Sequence, residues 1–375
     1  MIGFNHKYAK HQRRTTINKK IEPSALSLKP DLNESAKRWE ASFAMELTDR
    51  PPVWMTCRKP DAPEAPLPNY LRKTNSNIDT LLDEVERFAD SVWWGGDSIP
   101  QWMPSFGPDE MLSYCGGEDL IFSEDSPDTN WGKPFVDDWS TTTLQIDYRS
   151  PLLKRMLEIY RRGAERFAGK LLLTPPDLHS NLDLLAAARG PERLCMDLLD
   201  SPELIDKAMG EARAVFRELW TAVRIAGRMD ELGFSQNFYS MEGAAMMQCD
   251  FSCMIHPDMY RRWALPALEE EAVIVRHATY HWDGPGALVH WDAVTSCPGF
   301  YAISYVPGDG NGRSADHLPM LKRIQEAGKV VHVGGTFDEI KLMHRELRHD
   351  RVVYYTSAST PQDGERLLKW LVDNT

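Results

Sequence analysis

The feature that most constrains this chain is a repeated alternation: a short apolar stretch, a turn of Gly, Pro or Asp, then an amphipathic helix. It is most regular in the C-terminal third, where residues 300–303, 329–333 and 351–355 read as buried strands and 317–327, 338–347 and 362–372 as helices. Upstream, residues 53–55, 91–94, 170–173, 232–234 and 278–280 are strand-like, while 33–48, 80–89, 152–167, 202–226 and 257–275 are helical. Strands alternating with helices of ten or more residues build parallel βα units. About eight such units predict a closed (β/α)8 TIM barrel, an α/β fold, spanning residues 35–375 as one domain. No GxGxxG follows an early strand, which argues against an open dinucleotide-binding sheet.

Two stretches fall outside the alternation. Residues 95–143 are rich in Gly, Pro, Asp and Trp, and read as an insertion over the barrel mouth. Residues 1–34 form a basic arm: Lys7, Lys10, Arg13, Arg14, Lys19 and Lys20 all precede the first acidic residue, Glu22. Such an arm is either a solvated tail or a strap to a second copy, so a homodimer is expected. The remainder is acidic, and a net charge of -12 argues against nucleic-acid binding. No apolar run reaches the roughly 18 residues of a membrane span, and the first 20 residues lack a signal-peptide core. The six cysteines form no CxxC pair and suggest a reducing, cytoplasmic setting.

Catalytic groups of a barrel collect at the C-terminal ends of its strands. The segment Tyr280-His281-Trp282-Asp283-Gly284 stands out, because His281 and Asp283 alternate and therefore share a strand face. An imidazole and a carboxylate on one face bind a metal, share a proton or brace a loop. Asp250 joins them as a catalytic acid or a helix cap. Glu242 and His332 complete a metal set of Glu242, His281, Asp283 and His332, with a buried core histidine as the alternative for His332. Arg58 and Asp97, after the first two strands, are candidates for substrate binding. Trp93, Trp94, Trp102, Tyr239, Trp282 and Tyr305 would line an apolar pocket or simply fill the core. Cys249 and Cys253, four apart, read as a buried, inert pair.

Three segments carry a family resemblance. Asp49-Arg50-Pro51-Pro52-Val53-Trp54-Met55, the run Asp250-Phe251-Ser252-Cys253-Met254-Ile255-His256-Pro257-Asp258-Met259-Tyr260 with Leu265-Pro266, and His281-Trp282-Asp283-Gly284 resemble the uroporphyrinogen decarboxylase superfamily. That superfamily includes cofactor-free decarboxylases of tetrapyrrole acetate groups and methyltransferases that pass a methyl group to a corrinoid on a separate protein. The decarboxylase loop Arg-Gln-Ala-Gly-Arg is here Thr56-Cys57-Arg58-Lys59-Pro60, and its Asn-Leu-Gly-His-Gly is Tyr355-Thr356-Ser357-Ala358. The resemblance therefore implies a methyltransferase acting on a small O- or N-methylated substrate. Its partner would be a corrinoid-binding protein carrying cobalamin. A carboxy-lyase using Arg58 and Asp97, or a non-catalytic ligand-binding barrel, are the alternatives. Methyltransferases of one branch hold zinc through His-x-Cys and a distant Cys; here His281-Trp282-Asp283 puts Asp in place of Cys. A zinc site in this chain would be richer in oxygen.

Overall fold

The computed structural model describes residues 25–117, 120–123 and 126–375. The basic residues of the arm, Lys7 to Lys20, lie outside the described residues. The strands are β1 (Val53–Arg58), β2 (Val92–Gly96), β3 (Gln101–Trp102), β4 (Ile121–Ser123), β5 (Ser126–Trp131), β6 (Leu172–Leu173), β7 (Phe234–Ser235), β8 (Tyr239–Ser240), β9 (Ala244–Met247), β10 (His277–Asp283), β11 (Phe300–Val306), β12 (Val330–Gly334) and β13 (Val352–Ser357).

The main sheet has the order β2-β1-β13-β12-β11-β10-β9. Six strands run parallel, as the alternation predicts, and β2 runs antiparallel to β1. The expected closed eight-stranded barrel is not formed; the sheet is a seven-stranded half-barrel with edges at β2 and β9. Across the gap, among the described residues, stand a two-residue parallel ladder, β3 with β6, and a two-residue antiparallel hairpin, β7 with β8. Side chains bridge where backbone ladders would close a barrel. Met246 N–H on β9 donates to Gln236 Oε1 at 2.8 Å. Ser235 Oγ donates to Gln101 Oε1 at 2.7 Å, and Gln101 Nε2 to Asn237 Oδ1 at 3.2 Å. Strands of two residues are too short to carry a continuous ladder, so side-chain bonds satisfy these groups instead.

The helices cover the sheet in the expected way. Pro202–Ala226 buries Ile205, Ala208, Ala212, Val215, Leu219 and Val223, a stripe at three- and four-residue spacing. Phe337–Glu346 starts on a capping box, with Thr336 and Glu339 each accepting the other's backbone N–H. The segment before the first helix is clamped by Lys29, whose buried ammonium donates to Gly96 O at 2.6 Å.

The 95–143 stretch holds β3, β4, β5 and the helix Glu110–Tyr114. Its later part lies along helices rather than over the strand ends. Phe135 and Val136 donate to Ala188 O, and Trp139 Nε1 donates to Asp197. Among the described residues, no helix is long and apolar enough to cross a membrane.

Candidate functional site

The loop after β6 is built to hold polar side chains in place. Pro175 and Pro176 fix its backbone, and Thr174 N–H ties its start to Trp102 O at 2.9 Å. Asn181 adopts a left-handed conformation (φ 52°), which asparagine tolerates better than most residues. Its amide donates to Gln248 O at 3.0 Å, and its own oxygen accepts Leu182 N–H at 2.7 Å. Ser180 Oγ donates at 2.7 Å to Glu271, a carboxyl that burial pushes up to about 8. Asp177, His179 and Asp183 are thereby presented to the end of β9, where the 3-10 turn Asp250–Met254 begins.

Asp183 accepts the N–H of Asp250 at 3.0 Å and of Phe251 at 2.8 Å, and so caps that turn. His179 stands between two carboxylates. Its Nε2 is 3.7 Å from Asp177 and its Nδ1 is 3.7 Å from Asp250. Asp177 is held in turn by Gln248 Nε2 at 3.1 Å. One donor atom from each of His179, Asp183 and Asp250 falls within 4.8 Å of the others. Asp250 Oδ1 is shielded from solvent and has no hydrogen-bond partner among the described residues.

The electrostatics follow from burial and crowding. Burial and the neighbouring Asp250 raise the Asp183 carboxyl, and burial likewise raises Asp250. Burial alone would lower His179; the carboxylates of Asp177, Asp183 and Asp250 outweigh it and push the imidazole up to about 9. The Asp177 carboxyl is lowered, because the imidazoles of His179 and His281 outweigh its burial.

Several expected residues meet here. Asp250 is central, and His281 acts electrostatically on both Asp177 and Asp250. On β10, Tyr280 bonds Tyr260, and Trp282 donates to Ala287 O at 3.0 Å, so both face the covering elements. His281 and Asp283 alternate with them; His281 is half-buried, and Asp283 is exposed at the rim. Tyr305 is buried, with its ring set edge-on to Trp282. His332 is 3 % exposed, bonded at Nδ1 to Ser304 Oγ, and lowered to about 4 by burial and by His281.

Other expected residues stand elsewhere. Glu242 is exposed and precedes β9, at the opposite end of that strand from Asp250. The apolar residues 232–234 read as the strand and place Glu242 past its end; the sheet strand is in fact β9, one step later. Asp97 is not at the mouth, because β2 is antiparallel and ends beside the start of β1. There it is buried against Arg50 and Arg38 and accepts Val53 N–H at 2.9 Å. Trp93 lies across Gly95 and Gly364, against the last helix. Trp94 donates to Ala89 O, Trp102 packs edge-on to Phe167, and Tyr239 donates to Met241 Sδ. These four are packing residues here, not a shared pocket wall. Arg58 is exposed at the C-terminal end of β1. Cys249 and Cys253 are no buried pair, since a 3-10 turn replaces the assumed helix and leaves Cys253 exposed.

The sequence reading missed Asp177, His179 and Asp183. A signal was present: Asp177-Leu178-His179 follows a strand with the same alternation that singled out His281-Trp282-Asp283. Separately, a cleft of about 450 Å³ opens at the ends of β11, β12 and β13, lined by Arg313, Gly334, Thr336, Glu339, Thr356 and Ser357.

The His-x-Asp pair of the family resemblance does not by itself form a metal-ligand group. His179, Asp183 and Asp250 do: the imidazole-and-carboxylate donor set and the shielded, unpartnered Asp250 Oδ1 fit a metal ion. No protein-family model matches the chain, and no curated protein matches it.

Proposed function

We propose that this chain is a methyltransferase that moves a methyl group from a small O- or N-methylated substrate to the corrinoid of a separate carrier protein. One observation carries the reading: Asp177, His179, Asp183, Asp250 and His281 converge where β6, β9 and β10 end, with Asp283 at the rim. In the transfer, the bond between the methyl carbon and its heteroatom breaks. The electron pair stays on the heteroatom, which takes up a proton, and the methyl group joins the acceptor. His281 and Asp283 stand at the open side of the cluster and deliver that proton. Trp282 and Tyr305, packed behind them, hold β10 in register. A metal held by His179, Asp183 and Asp250 would supply Lewis-acid polarisation of the leaving heteroatom.

A carboxy-lyase for a polycarboxylate finds less support. Its substrate needs several cations, whereas the cluster is dominated by carboxylates, and Asp97 is committed to Arg50 and Arg38. The placement is cytoplasmic and the assembly a homodimer joined through the arm, both part of the same proposal. The test is spectroscopic: full-length protein, a panel of methyl ethers and methylamines, and free cob(I)alamin. Methylcobalamin appears with at least one donor if the reading holds. Its absence with every donor, together with carbon dioxide release from a polycarboxylate, replaces the reading with the lyase. Absence of both leaves a ligand-binding protein.

A further inference from the structure

The geometry points to a divalent-cation site whose ligands are His179 Nδ1, Asp183 and Asp250, with Asp177 orienting the imidazole from behind; this deepens the methyltransferase reading and rests on it. It moves the metal away from the His281/Asp283 pair to the loop after β6.

Five observations support this ligand set. His179 and Asp183 stand four residues apart where the β6 loop enters its helix, and the fold brings Asp250, from the turn after β9, within 4.8 Å of both. Metal–ligand bonds of about 2.0–2.2 Å put neighbouring donors roughly 3–4 Å apart. The 3.7 Å from His179 Nδ1 to Asp250 Oδ2 lies in that range and is too long for a hydrogen bond. Within a side chain that is 41 % exposed overall, Asp250 Oδ1 is itself shielded and lacks a partner, which is costly for that oxygen unless something binds it. The far nitrogen of His179 faces Asp177, itself fixed by Gln248; a metal-bound imidazole ordinarily has a carboxylate on its other nitrogen. Asp183 spends one lone pair of each oxygen on the N–H groups of Asp250 and Phe251 and keeps the others. One nitrogen and two carboxylates form a hard donor set, suited to Mn2+ or Zn2+ and unlike a thiolate site.

The test uses the full-length chain, stripped with EDTA, and the metal alone. Mn2+ is titrated with free ion read by electron paramagnetic resonance, and Zn2+ by calorimetry. One ion per chain is expected. Asp250→Ala and His179→Gln weaken binding at least about 30-fold, and Asp177→Asn about 10–100-fold. His281→Gln and Asp283→Asn stay within about twofold of the parent protein. Circular dichroism of the metal-free variants checks folding, and Asp250→Ala keeps the fold because Oδ1 bonds nothing. The proposal is overturned if folded parent protein binds neither ion saturably, or if Asp250→Ala binds as tightly as the parent. It is also overturned if His281→Gln alone abolishes binding. The titration contains no methyl donor and no corrinoid, so its failure is separate from failure of the proposed reaction.

Discussion

At the scale of single residues, similar carboxylates have opposite fates. Asp97 is fully buried but answered by two guanidiniums and a backbone N–H. Removing one partner of such a buried pair leaves the other uncompensated, so Asp97→Ala costs about 3–5 kcal/mol in denaturant unfolding. Its metal affinity is expected to stay at the parent value. Asp250 is the reverse case: its neighbour Asp183 repels it and its Oδ1 bonds nothing. Asp250→Asn therefore raises the melting temperature of the metal-free chain while it weakens metal binding. A lowered melting temperature in the metal-free state would show that Asp250 serves the fold. Glu110 supplies a pH test away from the site. Burial pushes it up to about 8 from 4.5, and Phe106 N–H and Tyr114 hold it. The folded chain keeps this proton longer than the unfolded one. The contribution is complete below about pH 4.5 and is lost as pH rises to about 8. Melting curves from pH 5 to 8.5 should fall less steeply in Glu110→Gln than in the parent.

At the scale of elements, the last helix docks on the sheet through Leu367, Leu368 and Leu371 and through a close approach of Gly364 to Trp93. The Trp93 ring passes over Gly364, where an added Cβ would come within 2.5 Å of it. Gly364→Ala should destabilise by about 1–3 kcal/mol, measured by denaturant unfolding, because the ring, which also lies against Gly95, would have to shift. An unchanged midpoint would mean that the helix docks more loosely than described. The strands and helices of the C-terminal third were legible, since long apolar runs and capping residues such as Thr336 act locally. The direction of β2 was not. Val92 follows its helix without a loop, and the reversal depends on pairing with β1, a non-local fact. β9 was hidden for a related reason: Ala244–Met247 is too short to show a period, and the hairpin before it looks like the strand. That shift by one element explains why Glu242 was misplaced. His281 was found because it lies at the end of β10, a strand the pattern makes visible, whereas Asp250 was found through the segment that carries the family resemblance and not through β9. Their partners Asp177, His179 and Asp183 follow β6, whose end the apolar run 170–173 marks, but they stand four or more residues past it, beyond Pro175 and Pro176.

At the scale of the whole molecule, the sheet is a half-barrel whose open side is finished by short ladders and side chains. The parallel core from β10 to β13 is bonded on both sides, whereas β3, β6 and β7 rest on two-residue pairings. Native-state hydrogen exchange should divide accordingly, with amides of β11 and β12 exchanging only by global unfolding and those of β6 and β7 opening locally. The candidate centre lies where the segment after β6 meets the turn after the sheet edge strand β9. Two of its ligands thus sit beside the weaker half and the third on the stronger half, and an ion joining them would tie the two halves together. Mutating the centre tests the account most directly. Methylation of cob(I)alamin, measured with the best donor in parent, His179→Gln and Asp97→Asn proteins, should fall about 100-fold or more in His179→Gln. It should persist in folded Asp97→Asn. Parent-level transfer by His179→Gln would contradict the assignment of the β6 loop as the active centre.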